Sequence, residues 1–352
     1  KEFRVKILEK KLPRGVSQMS SKLKDPFGRE ITYLRLSVTE QCNLSCFYCR
    51  SHPGECSRER ETGKDLLTIE DCLTVGQVAV DLGITRIRLT GGEPLVRPDI
   101  LEITGGLAAL PGLKDLSLTT NGILLEKMAF KLAEAGLKRV NISLDSLDEV
   151  NFRQITNGGK LQSTLKGIEK SLQAGLTPVK INVVLLKGIN DHEIEKFVRM
   201  TIDQELDVRF IEYMPTQGQK KWSNFFLPLE KVLEVAERIA PVVPVEGEHG
   251  GGPAQYIRLE GATGKIGLIS PLSRHFCDRC NRLRVTPDGK IKPCLFSEAE
   301  IDLRPYFSDK EQLKARFYEA LQIKPDPRKV AGNPLDRVMQ FEGKRSMTQI
   351  GG

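Results

Sequence analysis

The chain has 352 residues, of which 39% are apolar and 28% charged, with a formal net charge of +7. This composition belongs to a globular chain with a substantial core and excludes the disordered, collagen-like and disulfide-scaffold classes. The length suits two or three ordinary domains, or one large α/β barrel with an appendage.

Residues 1–25 hold eight Lys/Arg and three acids but no apolar stretch of the kind a secretory signal needs. They read as a basic N-terminal extension on a cytoplasmic chain. No apolar run approaches the ~18 residues of a membrane span, so no membrane partner is expected. A charge of +7 suits an anionic small molecule or a nucleic acid equally, and the placement of the cations has to decide.

From residue 31 to 213 strands and helices alternate. Candidate strands are Thr32–Val38, Arg86–Thr90, Leu116–Thr120, Val140–Leu144, Val179–Leu185 and Val208–Tyr213. Thr68-Ile69-Glu70-Asp71 opens a helix as a capping box, and Gly83, Gly136 and Gly175 stand where helices end. Alternating strands and helices imply parallel pairing, in an open sheet or a barrel. Parallel strands covered on both faces should be almost continuously apolar; these alternate instead. Leu34, Leu36 and Val38 oppose Arg35 and Ser37; Ile87 and Leu89 oppose Arg88 and Thr90. The same holds for Ser117 and Thr119, for Asn141 and Ser143, and for Lys180 and Asn182. Helices cover the apolar faces, so the polar faces must enclose a hydrated, cationic space. Cations that face inward disfavour a nucleic-acid partner, which needs them on an outer face.

Beyond residue 213 the pattern changes. A loop, Met214–Pro228, carries the single Trp222, and Leu229–Ile239 reads as a helix. Short strands follow at Tyr256–Leu259, Ile266–Ile269 and Leu283–Thr286, then a helix from Leu303 to about Gln322 and an irregular tail. The expected division is an extension over 1–25, a barrel over 26–240, and a C-terminal α+β domain over 241–352.

Six of the eight cysteines form two triplets, C-x3-C-x2-C at Cys42, Cys46 and Cys49, and C-x2-C-x13-C at Cys277, Cys280 and Cys294. A structural zinc site closes with four ligands, whereas three thiolates on a [4Fe–4S] cluster leave one iron open. Spacing favours iron–sulfur over zinc at the first triplet, and the second marks a further metal site. The first triplet follows the first strand, at the mouth where barrel active sites lie. Cys72, within a helix, reads as a core residue.

Cys42–Cys49, with Tyr48 before the third cysteine, and Gly91-Gly92-Glu93-Pro94 one βα unit later resemble the radical S-adenosylmethionine (SAM) superfamily. Arg35, the second triplet followed by Asn281-Arg282-Leu283-Arg284, Phe210–Pro215 and Gly351-Gly352 resemble the GTP 3′,8-cyclase family, from about residue 26 onward. The longer, charged Ser51–Gly63 loop with Cys56 departs from that pattern. The resemblance implies a partial (β/α)6 TIM-like barrel, with a C-terminal α+β extension carrying a second iron–sulfur cluster. It implies two [4Fe–4S] clusters, one at each triplet, and SAM contacts at Tyr48, Gly92, Ser143 and Met214. Arg35, Arg88, Thr119, Lys180, Arg282 and Arg284 match GTP-contacting positions, aided by Arg209. Arg282, Arg284, Gly351 and Gly352 are the expected catalytic positions. The implied reaction cyclises GTP to (8S)-3′,8-cyclo-7,8-dihydroguanosine 5′-triphosphate, the first step of molybdenum-cofactor biosynthesis. Implied partners are an electron donor such as flavodoxin or ferredoxin and, as the next enzyme, cyclic pyranopterin monophosphate synthase; a homodimer is compatible. Two rival readings are a peptide-modifying radical SAM enzyme with an auxiliary cluster, which needs more C-terminal cysteines, and a non-enzymatic zinc module.

Overall fold

The six expected strands form as β1 Tyr33–Ser37, β2 Arg86–Thr90, β3 Asp115–Thr120, β4 Arg139–Ser143, β5 Val179–Leu185 and β6 Leu206–Glu212. The computed structural model describes residues 22–49, 66–214, 222–245, 252–330 and 345–351. The first 21 residues, the Ser51–Gly63 loop with Cys56, and Gly352 lie outside the described residues.

The strands pair in parallel and in chain order, from β1 to β6. Six helices join or follow them: α1 Ile69–Asp81, α2 Ile100–Ala108, α3 Leu125–Glu134, α4 Glu149–Thr156, α5 Leu161–Gln173 and α6 Ile194–Asp203. The capping box at the start of α1 is present: Asp71 N donates to Thr68 Oγ1 at 3.1 Å, and Thr68 N donates to Asp71 Oδ2 at 3.0 Å. Gly83, Gly136 and Gly175 take left-handed φ of 90°, 93° and 72° where α1, α3 and α5 end, a conformation that penalises any residue with a Cβ.

The C-terminal third contributes β7 Val242–Pro244, β8 Gln255–Leu259, β9 Lys265–Ile269, β10 Arg282–Val285, β11 Lys290–Lys292 and β12 Ile301–Asp302. Three further helices among the described residues are α7 Glu230–Ile239, α8 Lys310–Gln322 and α9 Met347–Ile350. These strands do not form a sheet of their own. β9 pairs parallel with β6, and β10 pairs parallel with β1, so one twelve-stranded open sheet runs β12-β11-β10-β1-β2-β3-β4-β5-β6-β9-β8-β7. Eight consecutive strands are therefore parallel, flanked by antiparallel ribbons. Sequence alone does not show this, because β9 and β10 are short and lie far along the chain from the edges they extend.

The apolar faces pack outward under the helices. Leu34, Leu36, Ile87, Leu89, Leu118, Ile142, Ile181 and Phe210 are fully buried in one continuous core. Cys72 belongs to it, and burial pushes its thiol up to about 12, as befits a core residue. Phe210 meets Phe197 of α6 edge-on, with ring centroids 6.2 Å apart. Phe210→Ala should therefore destabilise the apo chain by about 3–5 kcal/mol, read as a lowered denaturant midpoint with the sheet's circular dichroism retained.

Candidate active site in the barrel

Register brings the inward polar residues into rows. Arg284 of β10, Arg35 of β1, Arg88 of β2 and Ser117 of β3 lie on one line across four strands. On the other side, Thr119 stands beside Asn141, Asn141 beside Lys180, Lys180 beside Asp207, and Asn182 beside Arg209. Arg282 lies beside Tyr33, with its guanidinium 5.0 Å from the Phe276 ring centroid.

Burial and neighbouring positive charge hold the Arg35, Arg88 and Arg284 guanidiniums below the usual arginine range. Arg88 and Arg284 are each pushed down to about 10, the latter by burial and then by Arg282. Arg35 is held down by burial and then by Arg284. Burial would raise the Tyr33 phenol, yet Arg88, Arg35, Arg139 and Arg282 outweigh it and bring it down. Such a cluster is complete only with an anion, for which guanidinium offers bidentate, charge-assisted bonds.

One cation departs from the expected ring. Lys180 already has a counter-charge, its Nζ 2.8 Å from Asp207 Oδ2, and it also donates to Tyr256 Oη at 3.1 Å. Arg209 Nη2 donates to Asn141 Oδ1 at 2.5 Å. Gly267 faces Arg209, where a Cβ would lie 2.8 Å from the arginine Cγ. The row Arg284–Arg35–Arg88 thus gathers positive charge on β10, β1 and β2. Buried polar atoms facing this space have no hydrogen-bond partner among the described residues: Ser37 Oγ, Thr90 Oγ1, Thr119 Oγ1 and Asn182 Oδ1. Native proteins rarely leave such atoms unsatisfied, so the cavity is chemically made for a polar ligand.

The first triplet lies in the loop after β1, at the C-terminal ends of the strands. Cys46 is raised well above the thiol range by burial and then by Cys49, Asp145 and Cys42. Three crowded thiols of this kind ionise together only around a cationic centre. Leu44 N and Asn121 Nδ2 lie 3.4 and 4.0 Å from Cys42 Sγ, donor contacts that suit a cluster ligand. The residues present therefore fit a [4Fe–4S] cluster. None of the described cysteines is in a disulfide, and no three His, Cys, Asp or Glu side chains among the described residues gather closely enough for a single metal ion.

Gly91 and Gly92 have a reason that the sequence does not disclose. A Cβ on Gly92 would lie 2.3 Å from Gln41 O, and one on Gly91 would lie 2.7 Å from Thr39 O. Gly92 N donates to Thr39 O at 2.8 Å, and Glu93 N donates to Gln41 O at 2.7 Å. The backbone that approaches so closely is the chain's own cysteine loop. Glu93, buried, accepts from Leu95 N, Thr120 Oγ1 and Asn121 N at 3.0, 2.8 and 2.7 Å. Across the mouth Tyr48 Oη donates to Asp145 Oδ2, and Val184 N donates to Asp145 Oδ1 at 2.8 Å. Tyr48 and Met214 pack on one small cluster with Leu186, Tyr213 and Leu272. Ser143 is two residues before Asp145, in register with Asn182. Glu93 and Asp145 are thus contributors that sequence reasoning did not single out as site residues. Glu93 stands inside the Gly91–Pro94 motif, but its partners Thr120 and Asn121 carried no signal.

The second triplet lies at the opposite end of the strands. Cys277 and Cys280 precede β10, and Cys294 follows β11. The register Arg284–Lys292, continued by two residues, places Cys294 beside Arg282. Cys280 is brought down to about 7: burial opposes this, but Lys324, Arg282 and Arg29 outweigh it. The five residues of β1 span roughly 17 Å at ~3.4 Å each, so the arginine row lies between the two triplets at about the reach of a nucleotide.

Gly351 enters the same space. Its carbonyl accepts from Arg284 Nη1 at 2.8 Å, and a Cβ there would lie 2.5 Å from Thr90 Oγ1 and 2.7 Å from Ser37 Cβ. Arg345 holds the tail in place, with bonds of 2.8–3.1 Å to both carboxyl oxygens of Asp288 and of Glu300. Gly352 lies outside the described residues. Among the described residues no helix is long and apolar enough to cross a membrane.

The fold and this cysteine-bearing mouth define a radical SAM protein. The Radical SAM superfamily profile matches residues 36–201, and that of Molybdenum Cofactor Synthesis C matches residues 206–330. Streptococcus suis SuiB, solved with S-adenosylmethionine, shares the fold at a TM-score of 0.57 and 15% identity, covering 92% of this chain and 76% of that chain. A GTP 3′,8-cyclase of Listeria monocytogenes is 44% identical over 333 residues, covering 94% of this chain and 99% of that protein. One of Moorella thermoacetica is 44% identical over 333 residues, covering 94% and 100%. The chain belongs to the GTP 3′,8-cyclase family.

The mouth yields a pH prediction. Burial raises the Glu93 carboxyl from 4.5 to about 7. The folded state then binds the proton more tightly than the unfolded one, so the stability linked to it is full below pH 4.5. It is lost as pH rises through about 7, and amounts to about 3 kcal/mol. Glu93→Gln cannot ionise, so the gap between its stability and that of the native chain should change by about this amount over that window, in denaturant titrations of the apo chain.

Proposed function

We propose that this chain converts GTP to (8S)-3′,8-cyclo-7,8-dihydroguanosine 5′-triphosphate, the first step of molybdenum-cofactor biosynthesis. The observation that carries the reading is the half-buried Arg284–Arg35–Arg88 row, lying between the two cysteine triplets. Membership of a family named for this reaction supports it.

Cys42, Cys46 and Cys49 hold the first [4Fe–4S] cluster, which with bound SAM supplies a 5′-deoxyadenosyl radical for hydrogen abstraction at the ribose C3′. Tyr48, Gly92, Ser143 and Met214 frame SAM, with Asp145 fixing the Tyr48 ring. Arg35, Arg88 and Arg284 take the triphosphate, while Thr119, Lys180 and Arg209 line the opposite wall. Lys180 acts through its hydrogen-bonding position, since Asp207 neutralises it. Cys277, Cys280 and Cys294 hold a second cluster at the guanine end, beside Arg282. The protein's own part is to orient the ribose and to exclude water from the reacting carbon. A flavodoxin- or ferredoxin-type donor supplies electrons, cyclic pyranopterin monophosphate synthase takes the product, and the setting is the cytoplasm.

The deciding experiment is anaerobic reconstitution with iron, sulfide and SAM, followed by incubation with each of the four nucleoside triphosphates. A cyclised product with GTP alone is the expected result. Product with none of them, or cleavage of SAM driven by a peptide, favours the peptide-modifying rival; two zinc without sulfide favours the zinc module.

The tail gives a sharper test. Gly351 has a left-handed φ of 80° and no room for a Cβ. Gly351→Ala should leave folding, cluster content and SAM cleavage intact while lowering cyclised product at least about tenfold, near 1.4 kcal/mol in barrier. The check is the ratio of 5′-deoxyadenosine to cyclised nucleotide.

A further inference from the structure

Two buried cations stand behind the second triplet, and neither belongs to the GTP wall. Lys324, just past α8, is 3% exposed. Its Nζ donates to Pro293 O at 2.6 Å and to Arg282 O at 2.8 Å. Pro293 immediately precedes Cys294, and Arg282 comes two residues after Cys280. Arg29 donates from Nη1 to Cys277 O at 2.7 Å and from Nη2 to Pro325 O at 2.8 Å. Main-chain carbonyls at or within two residues of all three cysteines are therefore held by these two side chains.

They differ in counter-charge. Arg29 Nε is paired with Asp25 Oδ2 at 2.5 Å. The hydrogen bonds of Lys324 go only to carbonyls, and among the described residues no carboxylate forms an ion pair with it. A buried ammonium with neutral partners alone is strongly unfavourable. Through Pro293 and Arg282 the ammonium stands against the segments that carry Cys294 and Cys280, so the negative charge this geometry can supply is that of the cysteine set. Thiolates on a cluster supply that charge permanently, and lone thiols do not.

We infer that Lys324 is a positioning residue of the second cluster site: its ammonium pins the segments bearing Cys280 and Cys294 and offsets the negative charge of a thiolate-bound cluster. This rests on the two-cluster reading above. Net charge and nearby hydrogen bonds set cluster potentials, and outer partners of metal ligands govern metal retention. A fixed positive charge stabilises the reduced state, so Lys324 raises the second cluster's potential and slows its loss.

The test compares the reconstituted native enzyme with Lys324→Arg, Lys324→Gln and Lys324→Met. It reads iron and sulfide content, iron release to a chelator, and the midpoints of both clusters by EPR-monitored titration. In Lys324→Gln and Lys324→Met the second midpoint should move to more negative potential, and its iron should leave about tenfold or more faster. Lys324→Arg should keep native values, and the first cluster should be unchanged throughout. Should Lys324→Met lose the second cluster outright, retention in Lys324→Arg with a displaced midpoint in Lys324→Gln still supports the role. Native midpoints and release rates in Lys324→Gln and Lys324→Met overturn it, as does equal loss of the second cluster in all three variants. If the native enzyme itself binds only about four iron, the two-cluster reading fails, whatever Lys324 does.

Discussion

Like charge confined in a low-dielectric space organises this molecule. Parallel pairing without slippage sets Arg284, Arg35 and Arg88 shoulder to shoulder, each largely withdrawn from water, with Arg284 and Arg88 both pressing the proton affinity of Arg35 down. Such a row is tolerable only because the helices take all the apolar faces and leave the interior to polar groups. The usual packed barrel core is turned inside out: Leu and Ile point to the helices, and Arg, Thr, Ser and Asn point to the axis. Adaptations elsewhere follow from it. Gly267 clears the stem of Arg209, Asp207 neutralises Lys180, and Gly351 brings a carbonyl dipole to Arg284.

A second theme is the use of buried carboxylates as loop fasteners at the mouth. Glu93 takes the N–H groups of Leu95 and Asn121, Asp145 that of Val184, and Glu212 those of Leu272 and Ser273. Glu193 adds Leu147 N and the Ser146 hydroxyl. Each satisfies donors that irregular backbone would otherwise leave unpaired. The loops around the first triplet thereby gain the rigidity that a radical reaction needs, without relying on the cluster to supply it.

Much of this was legible in the chain. Period-2 alternation on strands separated by helices announced a polar interior, and the strand bounds inferred from it differ from the observed ones by a residue or two. The capping box at Thr68 and the terminal glycines of α1, α3 and α5 needed only local chemistry. What stayed hidden depends on contacts distant in sequence. Nothing near Gly267 signals that β9 lies beside β6, and nothing in Arg282–Val285 signals a parallel partner at Tyr33. Lys180 was readable as an inward cation, but its counter-charge Asp207 was not until β5 and β6 pair. The Gly91-Gly92 pair was readable as a close approach, but not what approaches: the partner is Thr39–Gln41, some fifty residues earlier.

The pairing of β1 with β10 carries a consequence for how the chain comes to be folded. Tyr33 meets Arg282 in that ladder. At roughly 5–20 residues per second of synthesis, β10 leaves the ribosome some 10–50 s after β1. Throughout that interval the outer edge of β1 offers its N–H and C=O groups to any passing strand, the situation that leads to misassembly. Arg35 projects from the middle of this edge, toward what will become the interior. An inward charge on an open strand discourages a foreign partner, because adding one would bury the guanidinium against apolar side chains. Arg35 thus guards the nascent sheet while β1 waits for its own last parallel strand.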